Sequence, residues 1–259
     1  MESGFPDSQL ARTLKKRAKK ILWENNKMRM IAIITARGGS KRIPRKNIRD
    51  FCGKPILAYS IEAALQSGIF DEVMVSTDDE EIAGIARKYG AAVPFMRSEK
   101  TSGDFASTAD VVLEVVQDYR EKGITFDWFC CIYPTAPFIT SGKLLRAYEK
   151  VVNAQADAIV PVVRFSFPPQ RGFIINNERL EYKWPEYTFS RSQDLEPFYH
   201  DAGQFYLLRT EAFMDEKTVV PKKTIPFIID EMEVQDIDNF DDWHIAEIKY
   251  KAMSEGSQK

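Results

Sequence analysis

The chain has 259 residues, enough for one large domain or two small ones, and its 44% hydrophobic and 29% charged content excludes disordered and fibrous classes. A formal net charge of -2 argues against wholesale nucleic-acid binding, which favours a strongly basic domain, so any basic site must be local. Cys52, Cys130 and Cys131 form neither a disulfide framework nor a metal-ligand spacing, which fits reduced packing residues in a cytoplasmic protein; no apolar run of about 18 residues that could span a membrane occurs, and no secretory signal pattern opens the chain.

In chain order, residues 1–29 stand apart. Leu10, Leu14, Ala18 and Ile21 or Leu22 recur at helical spacing, with Lys15, Lys16, Arg17, Lys19 and Lys20 largely off that stripe, a pattern for a basic amphipathic helix. We read it as a solvated extension, with Met28 or Met30 as an alternative natural start. From Met30 short apolar runs alternate with helical periodicity. Strands are expected at 30–35, 72–77, 128–133 and 157–163, and helices at about 55–67, 79–89, 106–121 and 141–153. Near-continuous apolar strands separated by helices indicate a parallel sheet covered on both faces: a doubly wound, mostly parallel α/β fold. After Val163 the stretch from "RFSFPPQ" to "QFYLL", rich in aromatics and turn residues, reads as an antiparallel insertion. A strand near 224–229, the segment "DEMEVQDIDNFDDW" and a helix from about 239 to 253 complete the chain.

The segment "TARGGSKRIPRKN", Thr35 to Asn47, holds Arg37, Lys41, Arg42, Arg45 and Lys46 around Gly38 and Gly39, directly after the first strand. Ligands of open α/β sheets bind beyond the carboxyl ends of the strands. Glycines let main-chain amides approach a ligand and the cations supply charge, which together suit a polyphosphate. Neither the Walker spacing nor the dinucleotide glycine fingerprint is present, and so many cations favour a triphosphate. Far downstream, Asp236 and Asp238 form an Asp-x-Asp pair. If residues 234–238 are extended, both carboxylates share one face, which suits magnesium held by one or two carboxylates plus substrate phosphates. Asp78 or Asp79 is expected near the ligand edge or as a helix cap. No Ser, His and Asp set stands out, which favours chemistry in which the substrate brings the nucleophile.

These residues resemble a known family. The run "IAIITARGGSKRIPRKNIRDFCGKPILAYSIEAAL", followed in order by "VMVSTDDEEIA", "FMRSEKTSGDFAST", "YPTAPF", "HDAGQFY" and "DIDNFDDW", is similar to the CMP-sialic acid synthetase family, the Rossmann-like cytidylyltransferases that activate nonulosonic acids. Within it, "GGSKRIPRKN", "YPTAPF" and "YHDAGQFY" resemble the pseudaminic acid members above all. The likeness implies a cytidylyltransferase domain over 30–253, with an insertion at about 164–200, the basic extension 1–29 before it and a tail at 254–259. It also implies transfer of CMP from CTP to a nine-carbon sugar acid, with release of pyrophosphate, magnesium as cofactor and no covalent enzyme intermediate.

Carried over by position, the resemblance implies that Ala36, Arg37, Gly38, Gly39, Lys41, Lys46 and Asn47 form the triphosphate loop, with Lys46 on the leaving pyrophosphate. Arg97, Ala106, Ser107 and Thr108 would read cytosine and ribose, and Asp236 and Asp238 would hold the metal. Tyr133, Arg191, Gln193, His200, Asp201 and Gln204 would face the sugar, with Arg191 on its carboxylate. Neuraminic acid enzymes commonly carry Gln at the place of Tyr133 and Arg-Pro-Asn-Gly at the place of His200 to Gly203, which favours a differently substituted nonulosonic acid, pseudaminic acid first, with legionaminic and N-acetylneuraminic acid as the alternatives. The family further implies a homodimer whose insertion reaches toward the partner's site; Phe165, Phe167, Phe173, Tyr182, Trp184 and Tyr187 would serve that contact or a private mini-core. A nucleotide-sugar glycosyltransferase using the Asp-x-Asp pair and a non-catalytic nucleotide-binding protein are the competing readings.

Overall fold

The computed structural model describes residues 28–256 and Thr13; the expected basic helix of the N-terminal extension, Thr13 apart, lies outside the described residues. Along the chain run β1 (Met30–Thr35), the short pair β2 (Asp50–Phe51) and β3 (Lys54–Pro55), α1 (Ile56–Ser67), β4 (Glu72–Ser76) and α2 (Glu80–Lys88). Next come α3 (Glu99–Ser102), α4 (Thr108–Glu121), β5 (Trp128–Ile132), α5 (Ser141–Asn153) and β6 (Ala158–Arg164). The hairpin β7 (Phe173–Asn176) and β8 (Arg179–Tyr182), then β9 (Tyr199–Asp201), β10 (Phe205–Arg209), α6 (Thr210–Glu216), β11 (Thr224–Ile228) and α7 (Phe240–Gly256) follow.

The central sheet has seven strands in the order β11-β6-β10-β5-β1-β4, with β9 added on β6. β1 is parallel to β4 and to β5, and β11 is parallel to β6. β1 shows why Met30 to Ile34 are all apolar. Met30, Ala32 and Ile34 pack into one core with Leu57 and Ile61 of α1 and Leu144 of α5, while Ile31 and Ile33 face Val112 and Val115 of α4 on the other side. A strand covered on both faces has no polar side to show. The helix starts follow local chemistry: Asp79 accepts from the Ile82 amide at the head of α2, and Ser107 and Asp110 form a reciprocal capping box at the head of α4.

The expected insertion is shorter at its far end than the composition of "RFSF" to "QFYLL" implied. Tyr199–Asp201 and Phe205–Arg209 belong to the central sheet, antiparallel to its neighbours. The excursion leaves from the carboxyl end of β6 and returns at the same edge without a helical crossover, so the returning strand must run the opposite way. Phe205 to Leu208, all buried, fill the slot between β5 and β6. The hairpin itself builds little core: Phe173 stacks on Tyr182 at 4.5 Å, yet all four residues of β7 are exposed.

A third, smaller apolar cluster matters most for the site. Ile43, from the middle of the cationic loop, is fully buried with Phe51, Ile56 and Tyr59, and with Ile237 and Trp243 from the far end of the chain. Phe51 meets the rings of Tyr59 and Trp243 edge-on at 5.6 and 5.5 Å. Ile43 and Ile237 thus pin the cationic loop to the acidic segment. Ile43→Val should cost about 1 kcal/mol for the lost methyl, read as a lowered denaturant midpoint at unchanged slope.

Candidate functional site

β1, β4 and β5 deliver their carboxyl ends to one edge of the sheet, where strand order departs in both directions from β1. A cavity of about 540 Å³ opens there, lined by Thr35, Arg37, Ser40, Lys41, Arg42, Lys46 and Asn47 from the loop after β1 and by Arg97. Asp104, Ala106, Ser107, Thr108 and Val111, at and around the head of α4, form another wall, and Tyr133, Pro134, Thr135 and Asp236 complete it. Such a crevice at the turning point of strand order is where α/β sheets bind ligands.

The cations are held in defined positions. Lys46 donates from Nζ to the Ile237 carbonyl at 2.7 Å, between Asp236 and Asp238 in the chain. Burial lowers its pKa below that of an ordinary lysine, and Asp238 and Asp236 pull it back up. Asn47, buried, donates to the Arg37 carbonyl at 2.8 Å and ties the two ends of the loop together. Arg97 is buried as well, its guanidinium bonded to the Ser76 hydroxyl at 3.0 Å and the Ser76 carbonyl at 2.7 Å; desolvation lowers its pKa. Arg37 and Lys41 reach the same carboxylate, Asp104, at 2.7 and 2.5 Å. Lys41, then Arg37, holds that carboxyl below its usual range. Any anion entering between these two cations competes with Asp104.

The other two cations of the loop part company. Arg42 lines the cavity and pairs with Asp238 at 2.7 Å. Arg45 turns away to Asp79 and Glu81 at the head of α2, from a left-handed backbone at φ 56°. The glycines also differ. The Gly38 amide donates to the Asp78 carboxylate at 2.8 Å, so that main-chain donor is already engaged by the protein, and neither glycine lines the cavity. A Cβ at Gly38 would sit 2.8 Å from Asp79 Oδ2, whereas one at Gly39 would meet nothing within 4 Å. Asp79 is clamped by Arg45 and by its capping bond and cannot give way. Gly38→Ala should therefore destabilise the fold by about 1 to 3 kcal/mol and Gly39→Ala far less, a difference that paired denaturation curves resolve.

The acidic segment divides its labour. Val234 and Ile237 are buried, Asp236 lines the cavity and Asp238 stands at its rim on Arg42. Residues 234–238 pair with no strand of the sheet, though Val234 has extended backbone, and both Asp236 and Asp238 act on Lys46. Asp242 is spent on the start of α7: it accepts from the Asp238 and Asn239 amides at 3.0 Å each. Among the described residues no group of three or more metal-ligating side chains occurs. Asp236 and Asp238 are two hard oxygen donors beside a phosphate-sized cavity, a donor set that fits magnesium sharing its shell with substrate phosphates.

Of the residues expected at the sugar, Tyr133 lines the cavity. Arg191 pairs with Asp194 at 2.7 Å on the exposed insertion, and Gln193 is exposed beside it. His200 packs against Phe165 with ring centres 4.7 Å apart. Gln204 is buried, donating to the Glu233 carbonyl at 2.6 Å. Ala36 is buried in the main core. None of these five lines the cavity, and neither does Asp201. Sequence reasoning missed Asp104, which only its spacing before the Ser107 cap could have flagged. It also missed buried Lys143, bonded to the Phe138 carbonyl at 2.9 Å and paired with Glu233 at 3.3 Å, which anchors the acidic segment to α5.

Comparison with known proteins agrees with this geometry. A family model described as cytidylyltransferase matches residues 31–179. The chain is 44% identical over 231 residues to a pseudaminic acid cytidylyltransferase of Campylobacter jejuni, covering 89% of this chain and 100% of that one. It is 34% identical to a CMP-N,N'-diacetyllegionaminic acid synthase of Legionella pneumophila, covering 85% and 95% respectively. Among solved structures, a CMP:2-keto-3-deoxy-manno-octonic acid synthetase complexed with CTP shares the fold, with a TM-score of 0.62 at 17% identity over 88% of this chain and 99% of that chain. A cationic cavity at the carboxyl edge of the sheet, a flanking aspartate pair and these similarities together establish that the chain is a nucleotidyltransferase of the cytidylyltransferase family.

Proposed function

We propose that this enzyme joins CMP from CTP to a nonulosonic acid, pseudaminic acid in the first place, and releases pyrophosphate. The observation that carries the reading is the convergence of Arg37, Lys41, Lys46, Arg97 and Asp236 on one cavity that also holds Tyr133. Similarity to named pseudaminic acid cytidylyltransferases supports pseudaminic acid as the first sugar to test. The hydroxyl on the anomeric carbon attacks the α-phosphorus and gives up its proton to solvent water; an oxygen–phosphorus bond forms there while the bond to the oxygen bridging to the β-phosphorus breaks, and pyrophosphate leaves with the electron pair. Positioning and charge stabilisation supply most of the acceleration in such transfers.

In this reading Arg37 and Lys41 exchange Asp104 for phosphate oxygens, and Lys46 meets the charge that develops on the leaving pyrophosphate. Arg97 and the head of α4, whose dipole favours anions, orient the nucleotide. Asp236 and Asp238 would hold magnesium, which when bound neutralises phosphate charge and lowers the pKa of a coordinated hydroxyl. Asp238 would leave Arg42 to do so.

The exposed insertion, with Ile175, Leu180 and Phe189 open to solvent, fits a surface covered by a second copy, so we include a homodimer in the proposal. Arg191 and Gln193 would then reach the neighbouring copy's sugar. The catalytic unit is taken as residues 30–253 and its working place as the cytoplasm; among the described residues no helix is long and apolar enough to cross a membrane.

Pyrophosphate release by the purified protein with magnesium, CTP and a panel of pseudaminic, legionaminic and neuraminic acids tests the reading. Release above background with pseudaminic acid, and less with the others, is expected. No release with any of the three would sink it.

A further inference from the structure

Behind Tyr133 lies a chain of hydroxyls that ends on a carboxylate. The Tyr133 hydroxyl is 3.2 Å from Thr108 Oγ1 and 3.4 Å from the Tyr206 hydroxyl, and the two tyrosine rings meet edge-on at 5.7 Å. Tyr206, in β10, is 5% exposed, and its hydroxyl donates to Asp201 Oδ2. The other carboxylate oxygen of Asp201 accepts the Gly203 amide at 2.7 Å, across a turn that Gly203 closes at φ 60°. Thr108 and Tyr133 line the cavity; Tyr206 and Asp201 do not.

The end of this chain sets its direction. An ionised carboxylate only accepts, so Tyr206 spends its single proton on Asp201. Its oxygen is then left to accept from Tyr133, whose proton is spent in turn. The Thr108 hydroxyl can only donate to Tyr133, which keeps one further acceptor position open toward the cavity. Burial, together with the bond to Asp201, raises the Tyr206 pKa, so its hydroxyl remains a donor.

We propose that Asp201 and Tyr206 are positioning residues that hold the Tyr133 hydroxyl as a hydrogen-bond acceptor for a donor group of the sugar. Positions 133 and 201, both of which differ from the neuraminic acid pattern, would then be one specificity unit joined through Tyr206. This rests on the reading above that Tyr133 faces the sugar. It also replaces the expectation that Asp201 touches the sugar itself.

The chain can be tested without turnover. Tyr133→Phe and Tyr206→Phe, singly and together, are compared by chemical denaturation. Coupled hydroxyls make the double variant less destabilised than the sum of the singles; strictly additive losses would overturn the proposal. Its role is then read from steady-state kinetics. Tyr206→Phe and Asp201→Ala should each raise KM for the sugar about fivefold, the size of one neutral hydrogen bond, with KM for CTP held within twofold. In the Tyr206→Phe background, Asp201→Ala should add nothing further. An added loss there would mean that Asp201 binds sugar directly, and an unmoved sugar KM in both singles would end the proposal. Asp201 is exposed, so its variant carries the test even if Tyr206→Phe folds poorly. Tyr119, a buried tyrosine bonded to Glu72 elsewhere, is the control: Tyr119→Phe should move neither KM. Loss of wild-type pyrophosphate release with intact coupling in denaturation would count against the proposed function instead of the chain.

Discussion

Lys46→Ala is expected to lower turnover on the order of a hundredfold or more, the usual size when a preorganised donor to developing charge is removed. The geometry makes the role specific. Lys46 is partly desolvated, which strengthens its field, and its Nζ is fixed by the Ile237 carbonyl at 2.7 Å instead of sampling solvent. Arginine cannot substitute freely, because a planar fork needs room that the compact, half-buried ammonium does not; Lys46→Arg should recover only part of the loss. The fold should survive, since the side chain enters none of the apolar clusters. Single-turnover assays paired with melting curves check both statements, and wild-type turnover in Lys46→Ala would remove the residue from the mechanism.

The second large effect is expected at the aspartate pair. Asp238→Ala should shift the magnesium dependence of activity to higher concentration, and Asp236→Ala should lower turnover further, because Asp236 lines the cavity while Asp238 lies at its rim on Arg42. Each loss leaves one carboxylate, and magnesium is commonly held by one or two, so the expected signature is a displaced titration that excess metal partly restores. Asp238→Ala also frees Arg42 to compete for phosphate, so KM for CTP should rise less in this variant than in Asp236→Ala. A magnesium titration that is identical in wild type and both variants would exclude ligation. Asp242→Ala separates site from scaffold: it removes the acceptor for the Asp238 and Asn239 amides, and its first effect should be on stability.

Much of the scaffold was legible because its signals are local. Alternating apolar and amphipathic runs located strands β1, β4, β5, β6 and β11 and helices α1, α2, α4, α5 and α7 within a few residues. β10 was misassigned to the insertion because its apolar residues look like any short strand; its place between β5 and β6 depends on how the chain returns across the sheet. α3 and α6 are too short to carry a periodic signal. At the site, the cationic loop and the aspartate pair stood out by charge alone. Their union did not, since Lys46 meets the Ile237 carbonyl across 191 residues of sequence. The one local clue was Ile43, an apolar residue among cations, whose burial against Ile237 brings the two segments together.

Chain composition and pattern alone were enough to indicate an α/β sheet with a glycine-bearing cationic loop after its first strand, because burial periodicity and clustered charge are properties of neighbouring residues. How the cations are disposed about the cavity was a matter for tertiary structure. Arg45 is withdrawn to α2, Arg42 is committed to Asp238, and Arg37 and Lys41 share Asp104, so of the five only Lys46 reaches the cavity without a carboxylate partner in bonding range. Coulomb energy at such distances depends on where opposite charges are brought by folding, and no count of charges along the chain contains that information.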